Sequence, residues 1–271
     1  MIQEKIRESI RYIQNAIRKF KNPILACSYG KDSILTLWLA RIIKKDIQVI
    51  FVNTGFETPD LYQFRKKIME AWKIKEITIP PKHSFWWIVE RHGFPMYAKG
   101  TPYRYDKRYL PAHYCCLYLK KRPLEQYLRK SEYDIVIDGM RKEESRLRKF
   151  SIKKYGIMHW HQGNRKYRLH PIANITDEEM ERIYEKYKIP YCEIYNKKIE
   201  GLKIRTGCWC CTLNLKYPKI KFLRIYYPKL WKIILEKGLG KVMAEKKLGE
   251  KVTEEYVENV REKYPCFFDQ L

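Results

Sequence analysis

Two groups of residues in this chain have the types and spacing to do chemistry. The first is Cys27-Ser28-Tyr29-Gly30-Lys31-Asp32-Ser33. It follows the apolar run Pro23 to Cys27 and opens a segment in which Ile34, Leu35, Leu37, Trp38, Ile42 and Ile43 recur at roughly helical spacing. A strand, a tight loop and a helix start make an anion trap, built from backbone N–H groups, a glycine that lets the main chain approach, and a lysine. Ser33 sits where a hydroxyl caps the helix or touches a phosphate. Asp32 repels a phosphate unless a cation lies between them, so the loop predicts Mg2+ together with the anion. The loop is shorter than the Gly-x-x-x-x-Gly-Lys-Ser/Thr type.

The second group is drawn from the chain's eight cysteines. Cys115-Cys116 and Cys208-x-x-Cys211 supply four thiolates from two distant segments. Structural zinc sites space the ligands of a pair by about two to four residues, so an adjacent pair suits zinc poorly. Four thiolates suit a 4Fe-4S cluster, whose irons are spread over several ångströms; zinc and simple burial stay open. Cys27, Cys210 and Cys266 are spare thiols, each a candidate nucleophile or sulfur carrier.

The elements that must position these groups alternate along the chain. Residues 2–20 put Ile2, Ile6, Ile10, Ile13, Ile17 and Phe20 on one helical stripe. After the loop the helix runs to about Lys44, and Ile47 to Val52 reads as a strand buried on both faces, ending in Asn53-Thr54-Gly55. A helix from about Asp60 to Trp72 and a strand from Ile74 to Ile79 follow. A fourth strand, Tyr133 to Ile137, ends in Asp138-Gly139-Met140-Arg141 and runs on to Arg148; Arg141 and Arg148 can each clamp an oxyanion with paired hydrogen bonds. A fifth strand, Tyr167 to Ile172, precedes Asn174-Ile175-Thr176-Asp177-Glu178-Glu179, an N-cap with acids in the first turn, and a helix to Tyr187. Such alternation means an α/β fold with a parallel sheet covered on both faces and its ligand loops along one edge.

Lys and Arg number 56 against 31 Asp and Glu, an excess of 25. That balance predicts a polyanionic partner. Residues 84 to 131 mix Trp86, Trp87, Tyr97, Tyr103, Tyr105 and Tyr109 with Arg91, Lys99, Arg104, Lys107 and Arg108, a composition for tracking phosphates and stacking bases, or for a solvated loop with pinned aromatics. No apolar run approaches a membrane span, and Glu4, Lys5, Arg7 and Glu8 stand where a signal peptide is apolar. The expected location is cytoplasmic, where cysteines serve as ligands or reactive thiols in preference to disulfides.

The ordered set Ser28 to Ser33, Asn53-Thr54-Gly55, Cys115-Cys116 with Lys120 and Pro123-Leu124, Gly139-x-Arg141-x-x-Glu144-Ser145-x-x-Arg148, His170-Pro171-Ile172, Pro190-Tyr191 and Cys208-x-x-Cys211 resembles the phosphoadenosine-phosphosulfate reductase family of the PP-loop (adenine nucleotide alpha-hydrolase-like) superfamily. Tyr29 stands where the loop pattern Ser-Gly-Gly-x-Asp-Ser has its first glycine. The resemblance implies an open five-stranded parallel sheet with helices on both faces. It also implies an adenine nucleotide on Ser28, Tyr29, Gly30, Lys31, Asp32, Ser33, Asn53, Gly55, Arg141, Glu144, Ser145 and Arg148, and a 4Fe-4S cluster on Cys115, Cys116, Cys208 and Cys211. Residues 1–211 would form this domain, with 1–20 as its first helix, and 212–271 a helical, basic extension.

Sulfonucleotide reductases resemble the chain in their cysteine pairs but typically carry a degraded loop and a C-terminal Glu-Cys-Gly-x-His segment. Here Lys31 and Asp32 are retained, and the tail reads Pro265-Cys266-Phe267-Phe268. The expectation is therefore an ATP pyrophosphatase that adenylates an oxygen of tRNA or DNA and replaces it with sulfur, with Lys31, Asp32, Arg141 and Cys266 as catalytic residues. A sulfur donor such as a cysteine desulfurase or free sulfide would serve it, no membrane is involved, and a homodimer is allowed. The alternatives are a thiol-dependent reductase of adenylyl sulfate or its 3′-phosphorylated form, and a non-catalytic nucleic-acid-binding module.

Overall fold

The computed structural model describes residues 2–92, 94–96, 109–199, 201–209 and 217–236. In chain order its elements are α1 (Ile2–Lys19), β1 (Pro23–Ala26), α2 (Lys31–Ile43), β2 (Gln48–Val52), α3 (Pro59–Trp72), β3 (Glu76–Ile79), α4 (Phe85–His92), β4 (Phe94–Met96), β5 (Tyr109–Pro111), α5 (Ala112–Cys116), α6 (Arg122–Lys130), β6 (Ile135–Asp138), α7 (Arg146–Tyr155), β7 (Met158–His161), β8 (Lys166–Leu169), α8 (Asp177–Tyr187), β9 (Lys198–Ile199), β10 (Leu202–Lys203), α9 (Tyr217–Tyr226) and α10 (Pro228–Glu236). They form two compact units, the first from residues 1–55, 59–82 and 117–193, the second from 56–58, 83–116 and 194–271. The boundary read at residue 211 falls among residues 210–216, outside those described.

The first unit is built on a six-stranded sheet in the order β3-β2-β1-β6-β8-β7. Five strands are parallel, as the apolar runs imply. The sixth, β7, pairs antiparallel with β8 at the edge, and this corrects the expected strand count. Its sequence, Met158-His159-Trp160-His161, lacks an apolar run because histidines fill its two partly buried positions, while Met158 and Trp160 stand exposed.

Successive residues of a strand point to opposite faces. Ile24, Ile50, Ile79 and Val136 pack with Leu128 of α6 on one face, while Leu25, Val49 and Ile137 are aligned in register and equally buried on the other. Each such side chain contributes about 1.5–3 kcal/mol when fully buried. α2 lies within the core, with Ser33 to Leu37, Leu39 and Ala40 all buried, and α1 packs on it through Ile6, Ile13 and Ala16.

The chain enters the sheet at its centre. It runs outward through β2 and β3, then returns to add β6 on the other side of β1. The reversal between β1 and β6 opens a crevice at their carboxyl ends, the place where open α/β sheets bind ligands. Gly139, just beyond β6, closes the approach. A Cβ there would lie 2.7 Å from the carbonyl carbon and oxygen of Asp32 and 2.9 Å from the amide nitrogen of Ser33.

In the second unit β4 pairs parallel with β5, β9 and β10 pair antiparallel around Gly201 at φ 77, and α9 packs on α10. Phe56 joins Phe85, Trp86 and Trp209 in an aromatic group, and the Trp209 amide donates to the Phe56 carbonyl at 2.8 Å. Trp86 thus serves as packing. Trp87 stacks on His83 at 3.8 Å with the Arg91 guanidinium 5.3 Å from its ring. The aromatic and basic residues from 97 to 108 lie outside the described residues.

Because the atoms facing Gly139 are backbone, they cannot swing aside. Gly139→Ala is expected to cost about 1–3 kcal/mol, the usual cost of overpacking, read as a lower urea midpoint with an unchanged slope. A midpoint equal to the parent's would show that the two loops are not in contact.

Candidate functional site

The loop after β1 is held closed by its own side chains. Ser33 Oγ accepts from the Ser28 amide at 3.2 Å and donates to the Gly30 carbonyl at 3.0 Å, with Ser28 Oγ at 3.3 Å. Gly30 is the N-cap of α2 and offers no side-chain cap, so the positive end of the helix dipole faces the loop, as an anion site requires. The Lys31 ammonium lies 4.4 Å from the Tyr191 ring and 5.5 Å from that of Tyr184, whose hydroxyl donates to the Lys31 carbonyl at 2.6 Å. These aromatic faces hold the Lys31 ammonium at the loop.

Asp32 Oδ1 accepts from Arg141 Nε at 2.5 Å, across 109 residues of sequence. Arg141 is buried, its side chain 4 % exposed, whereas that of Asp32 is 30 % exposed. Its other nitrogens donate to the Ile175 carbonyl at 3.0 Å and to Asp177 Oδ1 at 2.6 Å. Burial opposes the guanidinium charge, but Asp32 and Asp177 raise its pKa above the ordinary value. The sequence reading makes Arg141 a catalytic residue able to clamp an oxyanion; in the structure each of its three nitrogens is bonded within the protein, where it fixes Asp32.

Glu144, Ser145 and Arg148 are likewise engaged among themselves. Glu144 Oε2 accepts from the Arg141 amide at 3.0 Å and from Arg148 Nη1, and Ser145 caps α7 by accepting from the Arg148 amide at 3.2 Å. At the end of β2, Asn53 Oδ1 accepts from the Gly55 amide at 3.0 Å and from the Tyr62 hydroxyl at 2.6 Å, and Gly55 takes φ 77. The structure therefore brings the loop residues 28–33 together with Arg141 and Glu144 around the crevice at β1 and β6.

Tyr29 departs from its expected role. Its backbone sits in the left-handed region at φ 57, at the position the loop pattern fills with glycine, but its ring is fully buried, edge-on to Phe51 at 5.6 Å. Its hydroxyl donates to Glu76 Oε2, and Glu76 also accepts from Arg65 and from Thr78 Oγ1. Burial above all, with Glu76 close by, raises the phenol far above its ordinary value, so it stays a donor. Only the main chain of Tyr29 is left to meet a nucleotide.

Cys27 is buried and pushed up to about 12, chiefly by burial, which makes it a packed thiol and not the nucleophile its position suggests. Cys115 and Cys116 lie in α5 and Cys208 follows β10, all three in the second unit, half-buried and free of disulfides. Cys208 Sγ lies 3.8 Å from Glu57 Oε1, to which it donates. Cys210, Cys211 and Cys266 lie outside the described residues. Among the described residues no three His, Cys, Asp or Glu side chains stand together as a metal-binding group. Four thiols suit iron in kind, but a Cys208 thiol that donates to Glu57 must give up that contact and its proton to take a metal.

Sequence reasoning missed Asp177, Glu76 and the Asp138–His170 pair. Asp177 was visible only as a first-turn acid. Glu76 was visible only as a carboxylate at the start of a strand. Asp138 Oδ1 lies 2.6 Å from His170 Nδ1 and accepts from the Met140 amide at 3.1 Å. Burial works against its charge, yet His170 and Arg168 hold its carboxyl below the ordinary range.

Replacing Tyr29 with Phe removes one donor from a fully buried carboxylate, which is expected to cost about 1–3 kcal/mol. The same change should weaken nucleotide binding, because the φ 57 loop conformation loses its anchor. Calorimetric titration with ATP and a urea melt would show both losses; a loss of stability alone would mean that the loop holds its shape without the phenol.

A model of the phosphoadenosine phosphosulfate reductase domain matches residues 22–214. An uncharacterised protein of Methanocaldococcus jannaschii is 28 % identical over 237 residues, covering 85 % of this chain and 52 % of that protein. A second from the same organism is 28 % identical over 241 residues and is covered to 43 %, so the chain spans about half the length of these relatives. An adenosine 5′-phosphosulfate reductase of Shouchella clausii is 24 % identical over 77 % of this chain and 78 % of its own. Among solved structures, a phosphoadenylyl-sulfate reductase from Candida auris aligns with TM-score 0.53 at 15 % identity, over 72 % of this chain and 89 % of that one. With most of its length matched by one domain model and the same sheet beneath it, the chain belongs to the phosphoadenosine phosphosulfate reductase family.

Proposed function

We propose that the chain is an ATP pyrophosphatase that adenylates an oxygen of a nucleic acid and lets sulfur replace it. The observation that carries this reading is the retained Lys31–Asp32 pair, with Asp32 fixed by buried Arg141 at the carboxyl ends of β1 and β6. A nucleotide whose bond to pyrophosphate is to be cut needs both a cation beside the leaving group and a carboxylate for Mg2+. A loop that only holds a sulfonucleotide needs neither.

In this reading the triphosphate lies on the N–H groups of residues 28–33. Asp32 would hold Mg2+ through the oxygen that Arg141 leaves open, and the metal would neutralise the charge developing on the phosphates. Lys31 turns from its aromatic faces to the departing pyrophosphate, the role that Arg141 is too engaged to fill. The acceptor oxygen attacks the α-phosphorus, pyrophosphate leaves, and a sulfur nucleophile then displaces AMP from the adenylated carbon or phosphorus. Positioning and electrostatics supply most of the acceleration. Cys115, Cys116, Cys208 and Cys211 would hold a 4Fe-4S cluster, whose contribution there is structural and electrostatic; Cys266 remains a candidate sulfur carrier.

The nucleic-acid acceptor is supported by the excess of 25 positive charges. A second reading, reduction of adenylyl sulfate or its 3′-phosphorylated form, is favoured by the names of relatives such as the Shouchella clausii enzyme.

The deciding experiment measures pyrophosphate release by anaerobically purified protein from ATP and Mg2+, with and without tRNA or DNA. Release stimulated by one nucleic acid is expected. Asp32→Asn should abolish it while the far-ultraviolet spectrum stays native, since Arg141 keeps Asp177 and Ile175. Sulfite formation from adenylyl sulfate and a thiol, without pyrophosphate release, would transfer the assignment to the reductase. Independently, Cys208→Ser should bleach the visible absorbance and lower the bound iron. Undiminished colour would remove Cys208 from the ligand set.

A further inference from the structure

α7 has an unusual solvent face. At 100° per residue, the residue diametrically opposed to buried Ile152 is Phe150, which is 64 % exposed, and Leu147 beside it is 82 % exposed. Around Phe150, at the three- and four-residue spacings that share a helix face, stand Arg146, Lys153 and Lys154, with Lys149 flanking that face one residue away, all exposed. From Ser145 through Thr176 the chain has eight Lys and Arg and no Asp or Glu. Arg148, on the inner side of the helix, is the cation of α7 that Glu144 neutralises.

We propose that this face of α7 is a docking surface for single-stranded nucleic acid, with Phe150 stacking on a base and Arg146, Lys149 and Lys153 meeting phosphates. The assignment rests on the nucleic-acid reading above and names the surface that would serve it. A ring at the centre of a solvent face and cations at its rim are what a strand with exposed bases and a charged backbone requires. The stripe from Arg146 to Lys154 is nine residues, with about 12 Å from first to last, room for about three bases at a stacking distance of about 3.4 Å.

A second copy of the chain fits this surface badly. In a two-fold pair the patch would face itself, setting cations against cations with no acid to separate them. An anionic bilayer also fits poorly, since a ten-residue helix offering one phenylalanine and one leucine inserts little apolar area. The position of α7 favours an acceptor strand. Glu144 bonds both Arg148 of the helix and the amide of Arg141, and Arg141 holds Asp32, so a strand on α7 is tied to the nucleotide loop through two residues.

The test uses the full chain, a short fluorescein-labelled single-stranded RNA and fluorescence anisotropy over a range of salt. Phe150→Ala should raise Kd by about 5- to 150-fold, the loss of stacking on one base, and leave the slope of log K against log salt unchanged. Arg146→Gln/Lys149→Gln/Lys153→Gln should lower that slope by about 2, at about 0.7 per phosphate for a single strand. Phe150→Tyr, which keeps a stacking face, should bind as the parent does, and all variants should retain ATP binding and the parental thermal transition. Parental Kd and salt slope in every variant, with RNA bound by the unaltered chain, would overturn the surface and spare the nucleic-acid reading. No RNA binding by the unaltered chain would overturn both. Loss of binding to phosphatidylserine vesicles with RNA binding intact would make α7 a lipid surface and end the proposal.

Discussion

The ion pair between Asp32 and Arg141 is the constraint on which the nucleotide crevice depends. A guanidinium cannot shed its charge when buried, so every nitrogen of Arg141 must find an oxygen. It finds them on two further segments, at Asp32 beyond β1 and at Ile175 and Asp177 where the chain turns into α8. The pair thereby sets where three parts of the sequence must stand. Removing one partner of a buried pair costs about 3–5 kcal/mol, and the partial exposure of Asp32 places this one below that range. The same exposure is what leaves the carboxylate accessible to a cation.

The loop is braced from below by a second interaction of the same kind. A tyrosine at φ 57 is strained by about 1–2 kcal/mol relative to a right-handed conformation. A hydrogen bond to a charged acceptor, about 1.5–3 kcal/mol, is large enough to offset that strain. Glu76 is the acceptor, and Arg65 and Thr78 satisfy its remaining lone pairs. A glycine in this position would be unstrained but would also have no means of fastening the loop to β3. The substitution of Tyr29 for glycine is therefore an exchange of freedom for attachment.

Much of this architecture was legible in the sequence, for a physical reason. Strands buried on both faces must be continuous apolar runs, and the loops at their carboxyl ends must be polar, so β1, β2 and β6 and the loops bearing residues 28–33, 53–55 and 138–148 announced themselves, while β3 and β8, with Glu76 and with Lys166 and Arg168 inside them, showed through the alternation of strands and helices. β7 did not, because an edge strand with one exposed face has no need of an apolar run, and its four-residue turn with Arg165 at φ 54 carries its glycine, Gly163, at a non-terminal position. The inward turn of Tyr29 and the capture of Arg141 were illegible for another reason. Each depends on an acceptor far away in sequence, Glu76 in the first case and Asp32 and Asp177 in the second. Residue types announce what chemistry is available; only the fold decides which groups are already spent.

That distinction also sorts the chain's cations. Arg141 is consumed by Asp32 and Asp177, Arg65 by Glu76, and Arg148 by Glu144, and each of these holds a loop or a strand in place. The cations on the outer face of α7 are exposed, and the stretch from Ser145 through Thr176 has no carboxylates. An uncompensated field raises the free energy of the folded chain through self-repulsion, and it is relieved when a polyanion arrives and its counterions leave. Arg141 and Arg65 are thus spent on carboxylates that shape the sheet's loops, while the exposed cations of α7 are joined to the nucleotide loop only through the Arg148–Glu144–Arg141–Asp32 connection, the route by which the proposed strand on α7 would be linked to the nucleotide.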